Sequence, residues 1–440
     1  MRPLGFCRYL GKYGWRARVL TTEPTSVYPF LGVDENLCAQ LPDKMQIDRV
    51  PHINPERTLL IARQKFLQPL CALNSFSESE PPSNINGRDS EGKLSYRSVR
   101  KTLLDWLFAF PDRQQFWLRP AWRRLSQIPS HEYPDVVYAT GGPWTSLLVG
   151  KALARKFGVP FVADFRDPWT HNPNKETLSP FLFRRSLELE RSICAAAARV
   201  IVNTDELRAQ FVRDNPDLQE KFTTITNGFD HDGYELSSAF KDEHHIEWGQ
   251  PGKLGLEICH FGSIYGNRAP SALFLAVREL FEVNQIQKGE LRIRLVGDWV
   301  VEDKRCESLA QELEKNGFLQ RDPPLPHDHC LRQMSSAQIL LILQPAYPLQ
   351  VPAKIYEYIA AGRPILVIGG EGATVALVER HRLGKCCPNE VSAIKELLLL
   401  LVTGRLRIEP PRPEERETFH YSNITKKLAQ VFDAVSTGAN

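Results

Sequence analysis

Lys354 and Glu357 are the two side chains whose types and spacing point most directly to chemistry. They lie three apart in Val351-Pro352-Ala353-Lys354-Ile355-Tyr356-Glu357-Tyr358, which puts both on one face of a helix. Pro352 suits the first turn of such a helix, so the pair falls at its N-terminal end. A lysine there can meet a phosphate, and a carboxylate can accept hydrogen bonds from both hydroxyls of a ribose. The same residues would equally make a plain surface ion pair, and K-x-x-E taken alone reads that way. The second candidate is Gly262-Ser263-Ile264-Tyr265-Gly266-Asn267-Arg268, directly after an apolar run. Glycines let backbone N–H groups approach a phosphate, and Arg268 would add a fixed charge. A glycine turn after a strand is common in α/β proteins, so this segment also needs support from its surroundings.

The surrounding elements alternate. Asp135 to Ala139 reads as a strand, Gly141-Gly142-Pro143 as a tight turn and Trp144 to Phe157 as a helix. Pro160 to Asp164 is a strand that runs into Phe165-Arg166-Asp167-Pro168-Trp169. Leu182 to Ala198 is a helix, Arg199 to Asn203 a strand, and Asp205 to Arg213 a helix capped by Thr204 or Asp205. A stretch rich in charge and histidine, about 230–252, separates these from a second series. There the strands are Leu256 to Phe261, Arg292 to Val296 turning at Gly297, Gln338 to Leu343 and Pro364 to Ile368, the last following a helix from Ala353 to Ala361. Strands alternating with helices predict parallel sheets, and 440 residues are too many for one core. The fold class is therefore α/β with two doubly wound domains. In such sheets ligands bind at the loops leaving the C-terminal ends of strands, and anions favour helix N-termini.

Composition narrows the function classes. A 42% hydrophobic and 24% charged chain is an ordinary globular one, and its net charge of +3 is too small to imply nucleic acid. Nine cysteines are scattered singly apart from Cys386-Cys387, with no CxxC and no zinc-ligand spacing, so reduced thiols are expected. The longest apolar run, Leu397 to Val402, falls far short of the ~20 residues of a membrane span. With no signal-peptide pattern at Met1-Arg2-Pro3, the expected location is cytoplasmic.

Residues 71–100 are polar and irregular and predict a mobile surface loop. Residues 99–125 mix aromatic with basic side chains and read as helices broken at Pro111 and Pro120. Such a surface can lie peripherally on an anionic membrane, at its inner face; the alternative packs the aromatics inward. The chain opens on a helix, Leu4 to Tyr13, followed by a strand, Arg16 to Thr21. A doubly wound domain opens on a strand and glycine loop, so either that strand is absent by design or, the favoured expectation, it lies upstream of Met1.

The string VPAKIYEYIAAGRPIL followed by Gly369-Gly370 resembles the nucleotide-sugar signature of GT-B glycosyltransferases, in particular family 4 and its close relatives. RPLGFCRYLGKYGWRARVLT, YATGGPWTSLLVGKALARKFGVPFVADFRDPW, IVNTDELRAQF, TITNGFD and HFGSIYGNR extend the resemblance in the family's order over most of the chain. It implies two Rossmann-like domains facing across a cleft: an acceptor domain at 1–235, a nucleotide-sugar domain at 236–422, and a helix at 423–440 crossing back to the first domain. Glu357 would hold the ribose. Gly262 would line the diphosphate with Ser263 and Gly297 beside it, and Arg268 and Lys354 would be its cations. Arg166 and Asp167 stand where other members carry a cleft histidine. Asp167 would orient or deprotonate an acceptor hydroxyl, and Arg166 would stabilise the departing phosphate; the alternative is an Arg–Asp pair that fixes the loop under Trp169. Gly141, Gly142 and Trp144 would line the acceptor side, while His260 reads as a buried structural residue. No metal and no cofactor is expected beyond the sugar nucleotide as co-substrate.

The implied reaction moves a sugar from a nucleotide-diphosphate donor to a polysaccharide or lipid-linked acceptor, with retention. The alternatives are a truncated, inactive member that still binds nucleotide, and a nucleotide-sugar epimerase. One departure bears on the sugar: many members carry a second glutamate eight residues before the ribose glutamate, where this chain has Leu349 beside Gln350.

Overall fold

The structure, a computed structural model, describes residues 2–23, 41–42, 45–52, 96–172, 179–230, 255–344 and 346–437. The charged stretch at 230–252 falls outside them except for Asp230, and so does the expected loop as far as residue 95. Its last five residues differ from expectation: a helix, Tyr96–Ala109, has already begun at Tyr96. The polar composition that marks the loop ends where an apolar periodicity starts.

The chain divides into two compact units. One comprises Gly14–Ile201, Asn215–Thr223 and Gln430–Asn440; the other comprises Met1–Tyr13, Val202–Asp214 and Thr224–Ala429.

In the first unit β1 (Arg18–Thr22) and β2 (Gln46–Val50) pair in parallel as a sheet of their own, Arg18 opposite Gln46. The buried carboxylate of Asp48 on β2 fixes this ribbon. It accepts from Arg18 Nε at 2.7 Å and from Arg124 Nε at 2.9 Å, the latter on the helix Leu118–Ser126. That helix runs through Pro120, contrary to the expected break. Pro120 is its third residue, where a helical N–H has no carbonyl partner to lose. The second sheet runs β3 (Val137–Thr140), β4 (Phe161–Phe165), β5 (Arg199–Val202), β6 (Phe222–Thr224) in spatial order. β4 is buried at all five positions, as a strand with both faces covered must be.

In the other unit six strands lie in one sheet: β7 (Leu256–Phe261), β9 (Leu291–Val296), β11 (Leu319–Asp322), β12 (Ile339–Gln344), β13 (Ile365–Gly369) and β14 (Gly384–Pro388). Their spatial order is β11-β9-β7-β12-β13-β14, and each neighbouring pair is parallel. Alternate residues feed two cores. Ile258, Leu341 and Leu366 join one apolar cluster, whereas Cys259, Leu340 and Val367 join the other. This period of two explains the near-continuous apolar runs, because both faces meet helices. A separate two-residue ribbon, β8 (Ile264–Tyr265) against β10 (Trp299–Val300), continues past the ends of β7 and β9. The strand order reverses direction between β7 and β12, and a doubly wound sheet opens its ligand crevice at such a point.

Among the described residues no helix is long and apolar enough to cross a membrane.

Candidate functional site

The reversal point brings together the two segments singled out in the sequence. Gly262 follows β7, and Lys354 opens the helix Lys354–Ala361 that follows β12. That helix is tied to the strand, because the Phe261 N–H donates to Tyr358 Oη at 2.8 Å. Gly262 has φ +124°, and a Cβ there would stand 2.2 Å from Lys354 Nζ. Its neighbour across the ladder is Gly297, φ +140°, where a Cβ would lie 2.6 Å from the Gly262 carbonyl carbon. Both turns therefore need glycine, for the conformation and for the close approach of the two backbones. Ser263 Oγ donates to Asp298 at 3.0 Å, which steadies the turn.

Two cations stand here. Lys354 Nζ donates to His260 Nε2 at 3.2 Å, and the other ring nitrogen, Nδ1, meets the Leu341 carbonyl at 2.9 Å. Burial first, then the neighbouring charge of Arg268, draws Lys354 down to about 8 against the opposing pull of Glu357. Arg268 is held between two rings, its guanidinium carbon 5.1 Å from the Tyr265 centroid and 4.9 Å from that of Tyr347. Nη1 donates to Tyr265 Oη at 3.2 Å, while the buried Nε has no hydrogen-bond partner among the described residues. The planar faces thus fix the guanidinium by cation–π contact rather than by ion pairing. Glu357 turns away from Lys354 and meets His327 Nε2 at 3.1 Å. The Lys–Glu spacing is not a closed ion pair: the cation is aimed at the glycine turn and the carboxylate at a half-exposed position. Leu349 is held by its carbonyl, which accepts from Thr204 Oγ1 at 2.9 Å; Thr204 also caps the helix Asp205–Asp214 through the Leu207 N–H.

Gly262, Ser263, Arg268, Gly297, Lys354 and Glu357 thus form one cluster. The sequence reading missed the roles of Tyr265, Tyr347, His327 and Asp298, and took His260 as purely structural. His260 carried a signal, two residues before the glycine turn, but its partner is 94 residues away.

In the first unit Arg166, after β4, donates through Nη2 to the Gly142 carbonyl in the turn after β3. The loop behind Arg166 and Asp167 is pinned. Trp169 is fully buried and stacks on Trp144 with centroids 4.9 Å apart and planes 4° from parallel. Thr170 donates through Oγ1 and its N–H to the buried Glu190 at 2.8 and 3.2 Å. Asp112 fixes the following helix, Thr145–Phe157, by accepting from the Thr145 N–H and hydroxyl. Trp144 is 7% exposed and backs the turn from inside. Gly141, Gly142, Arg166 and Asp167 therefore share one end of this sheet. Among the described residues no three His, Cys, Asp or Glu side chains are gathered as a metal ion would require.

Residues 85–228, which hold this second constellation, match the family described as Glycosyl transferase 4-like domain. The chain has the GT-B fold and carries a glycosyl transferase 4-like domain in that segment. Solved structures resemble the chain over nearly its whole length. The Anabaena protein Alr3699/HepE, determined in complex with UDP and glucose, has a TM-score of 0.53 at 15% identity, covering 95% of this chain and 99% of its own. Sucrose-phosphate synthase from Thermosynechococcus elongatus gives 0.53 at 15% identity, over 96% of this chain and 100% of its own. The N-terminal domain of Candida albicans trehalose-6-phosphate phosphatase gives 0.56 at 11%, over 96% and 97%. No curated protein matches the chain.

Proposed function

We propose that this protein is a glycosyltransferase that transfers a sugar from a nucleotide-diphosphate donor to a polysaccharide or lipid-linked acceptor, with retention of anomeric configuration. The observation that carries the reading is the pair of fixed cations, Lys354 and Arg268, at a glycine turn where the parallel sheet reverses order. A leaving nucleoside diphosphate needs its developing charge neutralised, and preorganised cations and backbone N–H groups do this in place. Glu357 stands about 4.5 Å of helix rise from Lys354 on the same face, nearly one turn away, and would accept from the ribose hydroxyls. Complexes of Alr3699/HepE with UDP favour a uridine diphosphate donor. On the acceptor side Asp167 would receive or orient the acceptor hydroxyl, and Arg166 would add positive charge near the departing phosphate. The domain division at 1–235, 236–422 and 423–440 belongs to the same reading.

A membrane-borne acceptor fits a further feature. Leu103, Trp106 and Leu107 on the helix Tyr96–Ala109 share one face by their spacing and are 51, 47 and 45% exposed. The sequence around them carries Arg97, Arg100, Lys101, Arg113 and Arg119. An apolar face within a basic stretch of sequence suits the surface of an anionic bilayer, and a cytoplasmic protein seated at the inner face would meet a lipid-linked acceptor there.

The test is incubation of the purified protein with uridine, guanosine and adenosine diphosphate sugars plus lipid-linked acceptors. Release of nucleoside diphosphate coupled to a product of unchanged anomeric configuration is expected. Nucleotide binding without release under every combination would reduce the protein to a binding member of its family.

A further inference from the structure

We infer that His260 is a positioning residue for Lys354: its ring, fixed in one tautomer by the Leu341 carbonyl, aims the ammonium at the glycine turn and keeps it charged for a nucleoside diphosphate. The inference rests on the donor-site reading and adds the origin of that site's pH dependence.

The geometry leaves little choice of protonation. His260 is 4% exposed on β7, and a backbone carbonyl can only accept, so Nδ1 carries the proton. A neutral ring then offers Nε2 as an acceptor, and Lys354 Nζ, which can only donate, lies 3.2 Å from it. Burial first, then the charges of Lys354 and Arg268, holds His260 down to about 3 against its hydrogen bonds with Leu341 and Gly262. The ring is thus neutral across the physiological range and cannot repel the lysine.

The groups that bear on Lys354 are few. Arg268, from the turn after β8, disfavours its charge, and Glu357, on its own helix, favours it while engaged with His327. His260 faces it from β7, and the Gly262 turn closes the remaining side. With burial and Arg268 both opposing the charge, the free site loses the lysine proton near pH 8. A bound diphosphate would hold that proton to higher pH. Affinity is therefore level below about pH 8 and weakens above it by up to ~tenfold per pH unit. Removing the His260 acceptor leaves a desolvated ammonium short of one charge-assisted bond, which moves this turning point toward acid by about one pH unit.

The experiment is calorimetric titration of the full chain with uridine, guanosine and adenosine diphosphates, carrying the tightest through from about pH 6.5 to about pH 9. Lys354→Met, expected to bind weakly and without the turning point, separates titration of the lysine from that of the ligand. His260→Phe should shift the turning point to lower pH, and His260→Gln, whose amide oxygen reaches toward the place of Nε2, should restore it. Should the phenylalanine variant not fold, His260→Asn, with a shorter amide, takes its place with the same expected shift. Variants that weaken binding equally at every pH, leaving the turning point where the unaltered protein has it, would overturn the inference but not the donor site. Failure of the unaltered protein to bind any of the three nucleotides would overturn the donor-site reading, and the inference with it.

Discussion

The ammonium of Lys354 occupies the space that a side chain at Gly262 would take, a Cβ there standing 2.2 Å from Nζ. The turn and the lysine are thus parts of one device: the glycine clears room for the cation and leaves its own backbone open beside it. Gly262→Ala should break both parts. An alanine at φ +124° carries about 1–3 kcal/mol of backbone strain, and its methyl would push the ammonium aside. Calorimetry with a nucleoside diphosphate should show affinity reduced roughly tenfold or more, a loss of ~1.4 kcal/mol or greater. Undiminished affinity in a folded variant would separate the turn from the donor.

Glu357 faces His327 at 3.1 Å and not Lys354, so its carboxylate remains available at the exposed end of the helix face. If it accepts from the ribose, Glu357→Ala should weaken nucleotide binding by about 1–3 kcal/mol, the cost of two lost hydrogen bonds to a charged group. A 2′,3′-dideoxy nucleotide should bind the alanine variant and the unaltered protein alike. A substitution that weakens both nucleotides equally would place Glu357 outside the ribose contact.

Asp48 links β2 to Arg18 and Arg124 from a buried position. Burial disfavours its charge, but the hydrogen bonds and charges of the two arginines outweigh this and lower its pKa. A lowered carboxylate contributes stability above the unfolded-state value of about 3.9, and loses it as pH falls through the folded value. Asp48→Asn should therefore lower the unfolding free energy measured in urea at neutral pH by about 1.5–3 kcal/mol, the scale of hydrogen bonds to a charged group. The gap between variant and unaltered protein should close as the pH drops below the usual carboxylate range. A gap that persists there would mean that packing, not charge, holds the ribbon.

Leu103, Trp106 and Leu107 present an apolar face to solvent. Changing all three to serine should abolish co-sedimentation with phosphatidylcholine vesicles containing phosphatidylglycerol, while leaving nucleotide binding intact. Binding of the unaltered protein should also weaken with salt, because surface charges are screened over about 8–10 Å at physiological ionic strength. Indifference to anionic lipid would count against a membrane role for this helix.

How far the sequence could be read depended on the range of the forces involved. The helix at Lys354 was legible because Pro352 precedes it, Gly362 follows it and apolar residues recur at helical spacing between them. β7 was legible to the residue as Leu256–Phe261, a buried run that ends at a glycine. β8 and β10 were not, since two-residue strands leave no periodicity to detect. Pro120 was read as a break because its place in the first turn depends on where the helix begins. Within the site, glycine turns and cations announced themselves by residue type. Their partners did not: Tyr347 closes over Arg268, His327 over Glu357 and His260 over Lys354 only after strands distant in sequence have come together.

The most direct test of the donor site is photolabelling with an azido analogue of uridine diphosphate glucose, followed by peptide mapping. The account predicts label in peptides containing residues 262–268 and 351–362, suppressed by unlabelled nucleotide. Label absent from both, or present there but unaffected by competition, would contradict it.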